Sequence, residues 1–99
     1  MKIINTYFGN LIMVNNIVSI NWRLIHDEDK HKLIYGDEVD EVVTVIDTNG
    51  KETIIGEYAG AGSAQDMVCS ILEWLVDSED DKQFDMPHYD DDRAPKKIR

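Results

Sequence analysis

Residues 42–76, VVTVIDTNGKETIIGEYAGAGSAQDMVCSILEWLV, constrain the fold more than any other part of this chain. Two β-rich runs, Val42 to Asp47 and Glu52 to Tyr58, flank Asn49-Gly50. Asn-Gly tolerates the positive φ that a type I′ turn needs at both central positions, so a hairpin with a two-residue loop is expected. Such a loop sets Val45 opposite Ile54, Ile46 opposite Thr53 and Val43 opposite Gly56. Alternation then gathers Val43, Val45, Ile54 and Tyr58 on one face, and Val42, Thr44, Ile46 and Ile55 on the other. Both faces are apolar, which predicts a pair covered on both sides. Asp47 falls opposite Glu52, a mildly unfavourable like-charge pairing.

A helix is expected from Ser63. The Ser63 hydroxyl can accept from the backbone N–H of Asp66, whose carboxylate can reach back, as in a capping box. Ala64, Met67, Val68, Ile71, Leu72 and Leu75 then recur at helical spacing on one face, with Gln65, Asp66, Ser70 and Glu73 turned elsewhere. Trp74 and Cys69 flank the stripe. GAGS before the helix lacks the Gly-x-x-x-x-Gly-Lys-Ser/Thr pattern of a phosphate loop and has no base beside it.

The N-terminal half reads as strands. Lys2 to Phe8 and Leu11 to Val14 are separated by the turn signal Gly9-Asn10, and Asn15-Asn16 interrupts again. Ile17 to His26 alternates best, with Val18, Ile20, Trp22 and Leu24 on a core face and Ser19, Asn21 and Arg23 on a wet one. Trp22 is therefore expected as a core anchor. After the polar loop DEDKHK, Leu33-Ile34-Tyr35 forms a further short strand. No helix separates the early strands, which argues against βαβ units. The expected fold is α+β: an antiparallel meander of five or six strands, curved or closing into a half-barrel, then one C-terminal amphipathic helix and a charged disordered tail.

From Asp77 the composition changes to few apolar and many charged residues, which favours disorder. The domain is expected over residues 1–76 and an acidic, then basic, tail over 77–99. Of the net charge of −10, residues 1–76 contribute twelve acids against five bases, and 77–99 eight against five. Such a field repels nucleic acid and anionic membranes and favours a protein partner with a basic surface. Direct nucleic-acid or membrane binding is not expected. An acidic surface can also imitate phosphates and occupy a DNA- or RNA-binding groove.

Chemistry-bearing patterns are sparse. Cys69 is the only cysteine, which excludes an intramolecular disulfide and a Cys-rich zinc site; on a helix flank it reads as a small buried hydrophobe. His26, Asp27, Glu28, Asp29 and His31 cluster, but Lys32 stands where a calcium loop needs glycine, so a solvated loop is expected. The acids sit in turns and a tail, and no Ser–His–acid or Cys–His arrangement is legible. An enzyme is not expected, and no cofactor or metal is called for. There is no signal-peptide layout and no apolar run long enough to span a bilayer, so a cytoplasmic protein is expected.

In KQFDMPHYDDD, apolar anchors lie among acids, as in short motifs that fold onto a groove-bearing basic partner. The expected partner-binding residues are Phe84, Met86, Tyr89, Asp90, Asp91 and Asp92. An unpaired edge, with Ile3 to Phe8 as the candidate, could form a homodimer.

TNGKETIIGEYAGAGSAQDMVCSIL and the preceding NLIMVNNIVSI resemble segments of small phage and prophage α+β proteins, over about residues 9–76. There a strand ending in Gly-x-Tyr leads through small residues into an Ala-containing amphipathic helix. The resemblance implies neither an activity nor site residues. The functional expectation is a non-enzymatic acidic interaction protein that binds and modulates a host or phage protein. Its alternatives are a nucleic-acid mimic that blocks a defence or processing enzyme, and a small-molecule or metal binder at an oligomer interface.

Overall fold

A computed structural model describes residues 2–6, 10–33, 39–59, 62–77 and 82–86. In chain order the elements are β1 (Ile3–Asn5), β2 (Leu11–Met13), a 3-10 turn (Val14–Asn16) and β3 (Ile17–Leu24). A second 3-10 turn (Asp27–His31) leads to β4 (Glu41–Asp47), β5 (Glu52–Tyr58), α1 (Ser63–Asp77) and β6 (Gln83–Asp85). The class is α+β; the described residues form six strands in two small sheets and one helix. The expected meander is realised only over β3-β4-β5, which is antiparallel throughout. The other sheet runs β2-β1-β6, with β1 antiparallel to β2 and parallel to β6. β1 is thus a central strand, not the exposed edge expected from Ile3 to Phe8.

β6 lies in the segment expected to be a disordered tail. Ile3 N–H donates to Lys82 O at 2.8 Å and Met86 N–H to Asn5 O at 2.9 Å. Phe84 packs against the core and Met86 is buried. Averaged composition hides this: a short segment with one inward aromatic and a following methionine is enough to add a strand to a central partner.

The 42–58 hairpin forms, with a corrected turn. Gly50 N–H donates to Asp47 O, and Asp47 N–H to Lys51 O, both at 3.0 Å. The loop therefore has three residues, Thr48-Asn49-Gly50, and only Gly50 takes positive φ, at +80°. This is a type I turn closed by a left-handed glycine. The cause is the Asp47 carboxylate, which accepts from the N–H groups of Asn49 (2.9 Å) and Lys51 (3.0 Å) and holds the wider loop. Thr44 now faces Ile54, Val45 faces Thr53, and Glu52 faces Ile46 instead of Asp47. A bulge between Val43 and Thr44 restores the expected Val43–Gly56 pair. Ile55, expected on the other face, joins Val43, Val45 and Tyr58 in the core. Val42 through Val45 are all buried, so β4 is covered on both faces.

α1 packs against β3, β4 and β5. Its buried stripe is Ala64, Met67, Val68, Ile71 and Trp74. Leu72 is half exposed and Cys69 exposed, against expectation for both. The start of the helix also differs. Asp66 N–H donates to Gly62 O at 2.9 Å, so Gly62 holds the cap position and Ser63 is already helical. The capping carboxylate comes from β4: buried Glu41 accepts from Ala64 N–H at 3.2 Å and Gly62 N–H at 3.4 Å. At the far end Lys2 Nζ donates to Trp74 O at 2.8 Å and lies 4.8 Å from the Trp74 ring centroid. An acid at the N-terminus and a cation at the C-terminus both complement the helix dipole.

Gly56 is a close-approach position. A Cβ there would stand 2.9 Å from the Tyr58 ring and 3.0 Å from Met86 Cε. The missing side chain lets β5 carry the Tyr58 ring and lets the C-terminal segment seat Met86 against it.

Candidate interaction surface

The polar centre of the molecule is Arg23. It pairs with Val42 across β3–β4, and its guanidinium meets carboxylates from two other elements. Nη1 donates to Asp29 Oδ2 at 2.7 Å and Nη2 to Asp29 Oδ1 at 3.0 Å. Nη2 also donates to Glu52 Oε1 at 2.8 Å, and Nε to Glu52 Oε2 at 3.3 Å. A further Nη1 bond reaches Leu24 O at 3.1 Å, so all five N–H groups find acceptors. Two bidentate carboxylates on one guanidinium form a geometrically specific clamp.

Asp29 explains the 26–31 segment. Its carboxylate is buried, takes the two Arg23 bonds and accepts from His26 N–H at 2.7 Å. Hydrogen bonding from Arg23 comes first among the causes that pull its carboxyl down to about 2, and burial opposes that pull. Glu52 is lowered for the same leading reason, the Arg23 hydrogen bond. The segment expected to be a solvated loop is instead a 3-10 turn tethered through Asp29. No group of three or more His, Cys, Asp or Glu is placed to hold a metal ion among the described residues.

The Arg23 charge is taken up by Asp29 and Glu52 within the chain, at a partly exposed site. Beside it lies a shallow hollow of about 270 Å³, lined by Lys32, Lys51, Glu52, Thr53 and Ile54.

The expected partner anchors separate into two groups. Phe84 and Met86 are structural: Phe84 stacks obliquely on Trp74, with ring centroids 5.5 Å apart at 54°, and Met86 sits against Tyr58 and Gly56. Neither is available as a docking anchor while β6 is paired. Tyr89, Asp90, Asp91 and Asp92 lie outside the described residues.

What sequence reading missed is β3. It is one of the two edges of its sheet, the other being β5, and among the described residues only β4 pairs with it. Trp22, expected as a core anchor, is 39% exposed; Val18 and Leu24 are 67% and 62% exposed. Only Ile17 and Ile20 pack against the core. A register shift between Ile17 and Ser19 breaks the clean alternation, and an edge strand has a neighbour on one side only. Within Ile17–Leu24 the one charged residue is the already neutralised Arg23.

No protein-family model, curated protein or solved structure matches this chain. Among the described residues no helix is long and apolar enough to cross a membrane. The class these observations define is a two-sheet α+β domain in which, among the described residues, β3 is an edge strand with exposed apolar side chains.

Proposed function

We propose that this is a non-enzymatic interaction protein whose acidic exterior binds a protein partner with a basic surface and modulates it. The observation that carries the reading is the placement of charge. The net charge is −10; Arg23 is taken up by the Asp29–Glu52 clamp and Lys2 by the helix C-terminus, while the exposed Lys30, Lys32, Lys51 and Lys82 are outnumbered by exposed acids among the described residues. Exposed acids such as Asp27, Glu28, Asp66 and Glu73 are left to set the outer field. Such a field accelerates encounter with basic surfaces and is screened by salt.

Tyr89 and the acids Asp90, Asp91 and Asp92 remain the proposed tail contribution; Phe84 and Met86 leave the binding set because the core uses them. A host or phage protein as the partner, a phage or prophage origin and a cytoplasmic place of action belong to the same proposal.

The test is capture from lysate by the full chain and by a chain ending at Met86, at about 50 and 300 mM salt. The shorter chain keeps β6. A specific partner that is released by salt, and weakened in the shorter chain, supports the reading with the tail included. Retention that ignores salt contradicts it.

A further inference from the structure

We propose that the open edge of β3 is occupied by β3 of a second copy, paired antiparallel about a two-fold axis at Asn21. This goes beyond the acidic-surface reading and uses a different face of the molecule.

The backbone of β3 fixes which groups are available. Ile25 N–H donates inward to Asp40 O at 3.0 Å, and Leu24 pairs with Glu41. Strand alternation then turns the N–H and C=O groups of Asn21 and Arg23 toward β4, and those of Ile20, Trp22 and Leu24 outward. The Leu24 carbonyl accepts from Arg23 Nη1, which marks where the available edge ends. Ile20 and Trp22 keep outward groups with no partner among the described residues. An eight-residue edge strand without Pro, Lys or an acid has little of the protection that natural edges carry, apart from one bulge near its start.

A second copy fits that edge. With the axis at Asn21, the outward groups of Ile20 on one chain meet those of Trp22 on the other, twice over. That gives four main-chain hydrogen bonds and joins the two three-stranded sheets into one of six. Ile20 and Trp22 become cross-strand apolar neighbours, and the half-exposed Trp22 ring gains a cover. Ser19 falls opposite Arg23, so no like charges meet. A shift of the axis to Arg23 would set the two guanidinium groups against each other, which rules out that register, and the crosslinking below separates the Asn21 register from the rest.

Long-range charge works against the pairing, since each copy carries −10. Salt screens that repulsion, so the dimer should strengthen as salt rises, while binding to a basic partner should weaken. The two readings therefore fail independently.

The test is sedimentation equilibrium of the full chain at about 50 and 500 mM salt, with Trp22→Lys as the variant. The expected result is a monomer–dimer equilibrium whose Kd falls with salt and rises at least tenfold in Trp22→Lys. A second measurement reads the register. In a Cys69→Ser background, Asn21→Cys faces its own copy across a non-hydrogen-bonded pair with Cα atoms about 4.5 Å apart, within disulfide reach. It should crosslink into a covalent dimer, whereas Ser19→Cys should not. A monomer at every concentration and salt, a dimer indifferent to Trp22→Lys, or crosslinking through Ser19 in preference to Asn21 would each overturn the proposal. So would an edge that takes up only foreign peptide strands.

Discussion

The two tryptophans of this chain sit in similar sequence settings and meet opposite fates. Trp74 flanks an amphipathic helix stripe and is 5% exposed, with Phe84 against its ring and Lys2 above it. Trp22 lies in an alternating strand and is 39% exposed. The difference comes from what returns to cover each one. β6 comes back from the C-terminal segment to close the Trp74 side, and among the described residues no further strand pairs with β3. Apolar patterning shows that a side chain can be buried; topology decides whether it is.

The largest effect that would break this contrast is truncation of the Trp74 ring. Trp74→Ala should cost about 3–5 kcal/mol by chemical denaturation, the usual range for an aromatic lost from a core. Trp22→Ala at low protein concentration should change stability by less than about 1 kcal/mol. Equal losses at the two sites would end the comparison. A chain ending at Asp77 removes β6 altogether and should lose cooperative unfolding, or lose several kcal/mol; an unchanged denaturation midpoint would show that the β1–β6 pairing contributes nothing.

Next in size is Gly56→Ala, which sharpens the account of the closed side. Its methyl group must displace the Tyr58 ring or Met86 Cε, for a cost of about 1–3 kcal/mol. Pairing it with Met86→Ala should recover part of that loss, and strict additivity in the double mutant would show that Met86 is not the obstacle.

The Arg23 clamp yields a smaller effect with a defined sign. Asp29 has its folded pKa at about 2, below the ordinary 3.8. Its stabilising contribution is therefore complete above about pH 4 and is lost as pH falls through 2. Glu52, shifted in the same direction, adds to the same acid-side loss. Urea midpoints should fall between pH 5 and pH 2, and Arg23→Ala should flatten that slope while lowering stability at pH 7 by about 1–3 kcal/mol. An unchanged slope in the variant would mean that other carboxylates carry the acid sensitivity.

Much of the closed side was legible because local rules agreed there. The 42–58 hairpin and the helix from residue 63 follow from turn chemistry, alternation and helical spacing, and both form. The details that shifted depend on single side chains. Asp47 selects the three-residue loop, and that change moves Glu52 away from Asp47. Glu41 replaces Ser63 as the helix cap; a buried acid at the start of a strand is the only sequence trace of it, and its helix lies some twenty residues further along the chain. β6 was hidden because tail composition was averaged over residues that include one short apolar alternation. The candidate surface was the least legible feature. Nothing in the alternation of Ile17 to His26 distinguishes an edge strand from a central one, because that depends on which other strands arrive.

The most direct measurement is amide hydrogen exchange along β3 in dilute protein, resolved by residue. An open edge predicts an alternating pattern, with Asn21, Arg23 and Ile25 slow and Ile20 and Trp22 fast. Protection at Ile20 and Trp22 should then rise with protein concentration. Slow exchange at Ile20 and Trp22 at every dilution would show that the chain covers this edge itself and would contradict the account.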